Sequence, residues 1–118
     1  MSITKVKVFI KNPETGMGRD VELIVDTGSI FTWINRDTLE SIGIKPRRIR
    51  PFRTIDGRVI TRSVGLATIR YEEYEGDVEV VFSEPGDAEV LGVTTLETLG
   101  LEVDPVSGKL RYVDHLAL

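Results

Sequence analysis

The spacing of turn-forming residues constrains this chain more than any other feature. Short runs rich in β-branched and aromatic side chains alternate with Gly, Pro, Asn and Asp clusters along its whole length. Residues 3–10 and 20–25 flank Asn12-Pro13-Glu14-Thr15-Gly16 and read as a hairpin. A second hairpin spans residues 49–63, centred on Asp56-Gly57, a dipeptide suited to a tight turn with positive φ. Val64 to Tyr71 and Asp77 to Phe82 read as paired strands around Glu75-Gly76, Val90-Leu91 as a short apolar strand, and Lys109 to Val113 as a closing strand. Strands this closely spaced leave room for little helix. Asn35 is placed to cap one short helix that Gly43 ends, and Thr94-Thr95-Leu96-Glu97 has the capping-box pattern of another, ended by Gly100. The expected class is all-β with one or two short helices.

Those helices echo each other: Thr38-Leu39-Glu40-Ser41-Ile42-Gly43-Ile44 aligns position by position with Thr95-Leu96-Glu97-Thr98-Leu99-Gly100-Leu101. Each follows an apolar strand and a glycine, Gly28 or Gly92. The pattern fits either two capped amphipathic helices of the same kind or a duplication inside the domain. The first copy carries an extra loop containing the acidic residue.

With 118 residues, the expectation is a single domain, residues 1–118. Cysteine is absent and the one histidine is His115, which removes disulfide scaffolds, thiol nucleophiles, iron–sulfur clusters and Cys/His zinc sites. No metal and no cofactor are expected, and any catalysis must use oxygen or nitrogen groups. No apolar run approaches the length of about 18 residues that a membrane span needs, so no membrane partner is expected and the localisation expected is cytoplasmic. The net charge of −4 conceals an asymmetry: residues 1–62 sum to +5 and residues 63–118 to −9.

The segment that points to chemistry is Leu23-Ile24-Val25-Asp26-Thr27-Gly28-Ser29. It sets a carboxylate at the end of an apolar strand, a costly position unless hydrogen bonds compensate. Gly28 allows close approach to that carboxylate, and the Thr27 and Ser29 hydroxyls can anchor neighbouring backbone or donate to Asp26. Alone, an Asp-Thr-Gly string occurs by chance in many proteins as a strand-end turn, and that is the simpler reading of it.

In its context the segment resembles the retropepsin-like aspartic proteases. The resemblance runs in motif order over residues 20–105: the strand before Asp26, the apolar stretch and short helix after it, the mid-chain hairpin, and Val90-Leu91-Gly92 followed by Thr94 to Leu101. It implies a closed β-barrel with a flap hairpin, active as a homodimer on a polypeptide substrate. Asp26 would be the catalytic aspartate, Thr27, Gly28 and Ser29 its active-site loop, and Leu91-Gly92 the element supporting that loop. Thr54, Ile55, Asp56, Gly57 and Arg58 would form the flap that closes over bound peptide. Two departures accompany it: the tip has one glycine where viral members have several, and Ile30 and Val93 stand where many of them have an acid and an arginine. With one Asp-Thr-Gly loop per chain and no acid in the second copy of the helix motif, a monomer would hold half an active site. The alternative is a catalytically silent dimerisation or peptide-binding module of the same fold.

Other residues carry simpler readings. Lys45, Arg47, Arg48, Arg50 and Arg53 form a basic run, but the acidic balance of the chain disfavours nucleic acid, and salt bridges to the Glu72–Glu75 turn are the expectation. Trp33 reads as a core anchor under the active loop. His115 lies too near the end to complete a nucleophilic triad, and Asp104 reads as a turn acceptor.

Overall fold

The computed structural model describes residues 3–113, so His115 and the Leu116-Ala117-Leu118 tail lie outside the described residues. The first hairpin forms as expected from β1 (Lys5–Lys11) and β2 (Gly18–Val25), antiparallel with Val6 opposite Leu23 and Val8 opposite Val21. Period-two alternation decides the faces: Val6, Val8 and Ile10 are buried while Lys5 and Lys7 are exposed. The Asn12 side chain closes the turn, accepting the Glu14 N–H at 2.9 Å, and its amide donates to the Ile42 carbonyl at 3.2 Å.

After β3 (Thr32–Asn35) comes α1 (Arg36–Ser41), whose cap is the predicted Asn35, accepting from the N–H groups of Asp37 at 2.8 Å and Thr38 at 3.4 Å. Strands β4 (Arg48–Arg53), β5 (Val59–Tyr71) and β6 (Tyr74–Ser83) follow, then β7 (Val90–Leu91), α2 (Val93–Leu99), β8 (Leu101–Val103) and β9 (Leu110–Tyr112). Seven strands make one sheet in the order β1-β2-β7-β3-β6-β5-β4, and β1 also pairs with β5 through Phe9–Arg70, Ile10–Ile69 and Lys11–Thr68. Strands β8 and β9 pair apart from it. The fold is mostly β. Among the described residues no helix is long and apolar enough to cross a membrane.

The core lies inside the curved sheet, with Ile10, Leu23, Ile34, Leu39, Ile69, Phe82 and Leu91 each 1% exposed or less. Both echo segments feed it identically: Leu39, Ile42 and Ile44 of the first and Leu96, Leu99 and Leu101 of the second are all buried in one cluster. The shared motif is therefore a shared apolar stripe, with spacing suited to one face of a short helix and the residue beyond its glycine cap.

Four expectations are corrected. The β5–β6 turn is Glu72-Glu73, with Tyr71 opposite Tyr74, and Gly76 sits inside β6 opposite Ile69. Gly76 is needed for packing, because a Cβ there would lie 2.6 Å from Thr98 Cγ2 on α2. Helix α2 begins at Val93 with Gly92 as its cap and no side-chain capping bond, so the capping-box reading fails. Its first N–H groups bond to carbonyls of another loop, described below. The basic run pairs not with the Glu72–Glu75 turn but with Glu79 on β6, which accepts from Arg48 at 3.0 Å and Arg50 at 2.8 Å. Finally, the strand expected at 109–113 shortens to β9 and pairs with β8.

Glu72 adopts φ 55, the only non-glycine in the left-handed region among the described residues. An L side chain there costs about 1–2 kcal/mol. Glu72→Gly should therefore raise stability by up to about 1 kcal/mol once glycine's greater unfolded-state entropy is set against that relief, whereas Gly76→Ala should lower it by about 1–3 kcal/mol through overpacking against α2. Urea midpoints at unchanged slope test both.

Candidate active site

Strand β2 runs parallel to β7, with Ile24 opposite Val90 and Val25 opposite Leu91, and the Asp26 N–H extends that ladder by donating to the Leu91 carbonyl at 3.0 Å. The chain then turns sharply, the Ser29 N–H donating to the Asp26 carbonyl at 3.1 Å. Inside this turn the Gly28 N–H donates to Asp26 Oδ1 at 2.9 Å, and a Cβ on Gly28 would stand only 3.2 Å from that oxygen. The carboxylate is thus aimed by backbone. Ser29 anchors neighbouring backbone as expected, donating its hydroxyl to the Phe31 carbonyl at 2.8 Å, and does not give the expected bond to Asp26. Asp26, Thr27 and Gly28 are all exposed at the loop tip.

The Leu91-Gly92 segment interlocks with this loop. A Cβ on Gly92 would lie 2.2 Å from the Phe31 carbonyl oxygen and 2.8 Å from that of Ser29, so only glycine fits. The Gly92 N–H donates to Thr32 Oγ1 at 3.0 Å, and Thr32 and Thr95 share a buried hydroxyl–hydroxyl bond of 2.5 Å. The first two amides of α2 complete the joint: Val93 N–H donates to the Ser29 carbonyl at 2.8 Å and Thr94 N–H to that of Ile30 at 3.0 Å. Helix N–H groups that usually need a capping side chain are satisfied by the acidic loop itself.

Beside Asp26 lies a cavity of about 530 Å³. Asp26, Ser29 and Trp33 line one side, Ala88 and Val90 another, and the β4–β5 hairpin contributes Phe52 and Ile60 together with its tip. Trp33 is half-buried in this wall, not in the core: β3 buries Thr32 and Ile34, and alternation turns Trp33 to the cavity face. That period-two pattern was the available signal for its position. Phe52 packs on Trp33 with ring centroids 5.0 Å apart and edge-on to Phe31 at 5.6 Å, while the Arg50 guanidinium covers Phe31 at 4.8 Å.

The expected tip residues Thr54, Ile55, Asp56, Gly57 and Arg58 form the β4–β5 turn. Thr54 N–H donates to the Arg58 carbonyl at 2.8 Å, Gly57 takes φ 88, and the side chain of Ile55 is fully exposed. The Asp56 carboxylate accepts from the Thr54 hydroxyl and from Arg58 Nε. The Thr54 bond above all holds its pKa below the ordinary carboxylate value. The structure therefore brings Asp26, Ser29 and the tip residues Thr54, Ile55 and Asp56 to one cavity, with Leu91-Gly92 directly behind. Among the described residues no group of three or more His, Cys, Asp or Glu side chains is gathered as a metal site.

Residues 14–103 match the family model for aspartyl proteases, and the chain belongs to that family. No curated protein sequence matches it. Among solved structures it is similar to a retropepsin-like aspartic protease from Rickettsia conorii, with a TM-score of 0.51, 16% identity, and coverage of 88% of this chain and 89% of that one. At that identity the likeness is one of fold.

The joint between loop and helix predicts a contrast between two threonines. Thr32→Val keeps the shape but leaves the buried Gly92 N–H without an acceptor, and should cost about 1–3 kcal/mol. Thr95→Val removes only the hydroxyl pair and should cost about 1 kcal/mol. Chemical denaturation of both variants checks the order.

Proposed function

We propose that this chain is an aspartic endopeptidase whose active site combines Asp26 of two identical subunits. The observation that carries this reading is the backbone-aimed Asp26 carboxylate at the rim of an apolar cavity beneath the β4–β5 hairpin. The pairing of β1 with both β2 and β5 supports a closed barrel, and the hairpin tip at residues 54–58 supports a flap. The substrate is an extended polypeptide, bound by its backbone as an added strand with alternate side chains entering apolar pockets.

The chemistry requires two carboxylates. Held a few ångströms apart they do not both ionise, so the pair shares one proton in the acidic range. The ionised oxygen takes a proton from a water that attacks the scissile carbonyl, and the protonated partner donates to the carbonyl oxygen. Within these residues the second helix motif offers no acid: Val90 stands two residues before Gly92, where Asp26 stands two before Gly28. A second copy of the chain supplies the second carboxylate. In that arrangement Leu91 and Gly92 support the loop, Gly28 leaves room for the carboxylate, and Thr27 at the exposed tip meets its twin.

The bonds that fix the tip, Thr54 and Arg58 to Asp56, favour as a second reading a peptide-binding module whose hairpin does not close productively. One experiment separates the two. A peptide library digested by the wild-type protein should show cleavage greatest at acidic to mildly acidic pH, and Asp26→Asn should abolish it while circular dichroism and sedimentation stay unchanged. Mixing Asp26→Asn with wild type should lower activity with the square of the wild-type fraction, because a mixed dimer has one carboxylate. A linear fall would overturn the shared site, and a dimer that cleaves nothing would establish the binding module.

A further inference from the structure

The β4–β5 hairpin leaves the core at Val64, the last fully buried residue of β5 on that side; from Val59 to Ser63 the strand is exposed or half-exposed. Across it the rungs are Arg50–Arg62, Pro51–Thr61, Phe52–Ile60 and Arg53–Val59. Backbone pairing to β4 alone would let this arm swing. At its base β4 is bridged to β6 by Arg48 and Arg50 on Glu79, and Arg36 reaches Ser63 of β5 at 3.4 Å. Two further contacts tie the arm to the cavity walls. On β4 the tie is the packing of Phe52 on Trp33 and Phe31, apolar and tolerant of sliding. On β5 it is directional: Arg62 Nε and Nη2 grip both oxygens of Asp87 at 2.6 and 2.9 Å.

This fork is the least exposed ion pair among the described residues, its side chains 20% and 13% accessible. Its anion is held by its own turn. Asp87 closes the turn between β6 and β7, accepting the Glu84 N–H at 2.9 Å on Oδ2 and donating its own N–H to the Glu84 carbonyl at 2.9 Å. Glu84 is held in turn by Arg36 Nε at 2.6 Å, which connects the turn to α1. The turn also provides Asp87 and Ala88 to the cavity wall. The remaining guanidinium nitrogen, Nη1, donates to the Thr61 carbonyl at 2.8 Å, so the side chain is bound along its whole head.

We propose that Arg62 and Asp87 are a positioning pair that fixes the height of the β4–β5 hairpin over the Asp26 cavity, confining its opening to the rungs beyond Arg62 and the Thr54–Arg58 tip. The proposal takes its consequence for catalysis from the protease reading; its effect on the hairpin stands on the geometry alone. Neither residue touches the reacting atoms in this role.

The pair is suited to acid. The Arg62 hydrogen bonds hold the Asp87 carboxyl below its ordinary value against the opposing effect of burial, with the Glu84 N–H adding to them. Other charges around it are Glu84 and Glu89 of the same turn, Arg36 from α1, and Arg53, Asp56 and Asp26 around the cavity. A depressed carboxyl contributes its tie at all pH above its unfolded value and loses it only as pH falls through the folded one. The clamp therefore persists across the mildly acidic range.

Trp33, the sole tryptophan, lies in the cavity wall under the hairpin and reports on opening without any activity. In wild-type protein, acrylamide quenching of its fluorescence should stay low from neutral pH into the mildly acidic range and rise only below the ordinary carboxylate range. Asp87→Asn should raise quenching severalfold already at neutral pH and remove the acid-dependent rise. Arg62→Lys, which keeps the charge without the fork, should fall between them. Hydrogen exchange at residues 59–62 should accelerate in the same order, with melting transitions showing that the variants remain folded. For cleaved peptides, KM should rise severalfold with kcat less affected. Quenching and exchange unchanged in both folded variants would overturn the proposal. If the wild type cleaves no peptide, the protease reading falls while the quenching result still decides the positioning pair.

Discussion

Everything near Asp26 depends on one close approach, that of Gly92 to the Phe31 carbonyl. With no side chain between them, the β7–α2 corner lies directly against the loop that follows Asp26, and four backbone amides cross the joint: those of Asp26, Gly92, Val93 and Thr94. Any Cβ at position 92 would push the two apart and break these bonds together. Among the described residues the carboxylate itself has one hydrogen-bond partner, the Gly28 N–H, so its direction is only as well defined as the backbone that carries it. Rigidity is supplied from behind the loop and the front is left open.

Local signals in the sequence were legible where local chemistry decides structure. Asn35 caps α1 because its short side chain reaches two amides, and Asp56-Gly57 turns because glycine accepts positive φ. Alternating Val and Lys in β1 divide the faces. Signals failed where a distant partner decides. Gly76 resembles a turn glycine but is there because α2 packs on β6. Thr94 resembles a cap, yet the helix already begins at Val93, and its first amides, those of Val93 and Thr94, bond to carbonyls some 60 residues away in the chain. The Asp-Thr-Gly loop and its Leu-Gly support were readable together only because the order of motifs along the chain resembles a known family, not because either string is specific by itself.

The two echo helices show how one motif can serve different ends. Both press the same apolar stripe into the core, but α1 is closed at its start by a side chain and α2 by the acidic loop. The nine residues between Gly28 and Thr38 make the difference. They provide β3, whose inner face holds the Thr32 joint and whose outer face presents Trp33 to the cavity. A short stretch of strand thus supports the loop on one side and shapes the neighbouring pocket on the other.

The uneven charge of the chain is resolved across space. Lys11 pairs with Glu75, Arg36 with Glu84, Arg48 and Arg50 with Glu79, and Arg62 with Asp87, each joining the basic half to the acidic half. In Glu79, burial works against ionisation, but the hydrogen bonds and charges of Arg50 and Arg48 outweigh it and leave the pKa lowered; Asp87 is lowered as well. The chain's isoelectric point is near 5.0. Around that pH its internal ties remain while its overall charge vanishes, so the proposed pairing of two copies would meet the least mutual repulsion in the range where the proposed aspartate pair would share its proton.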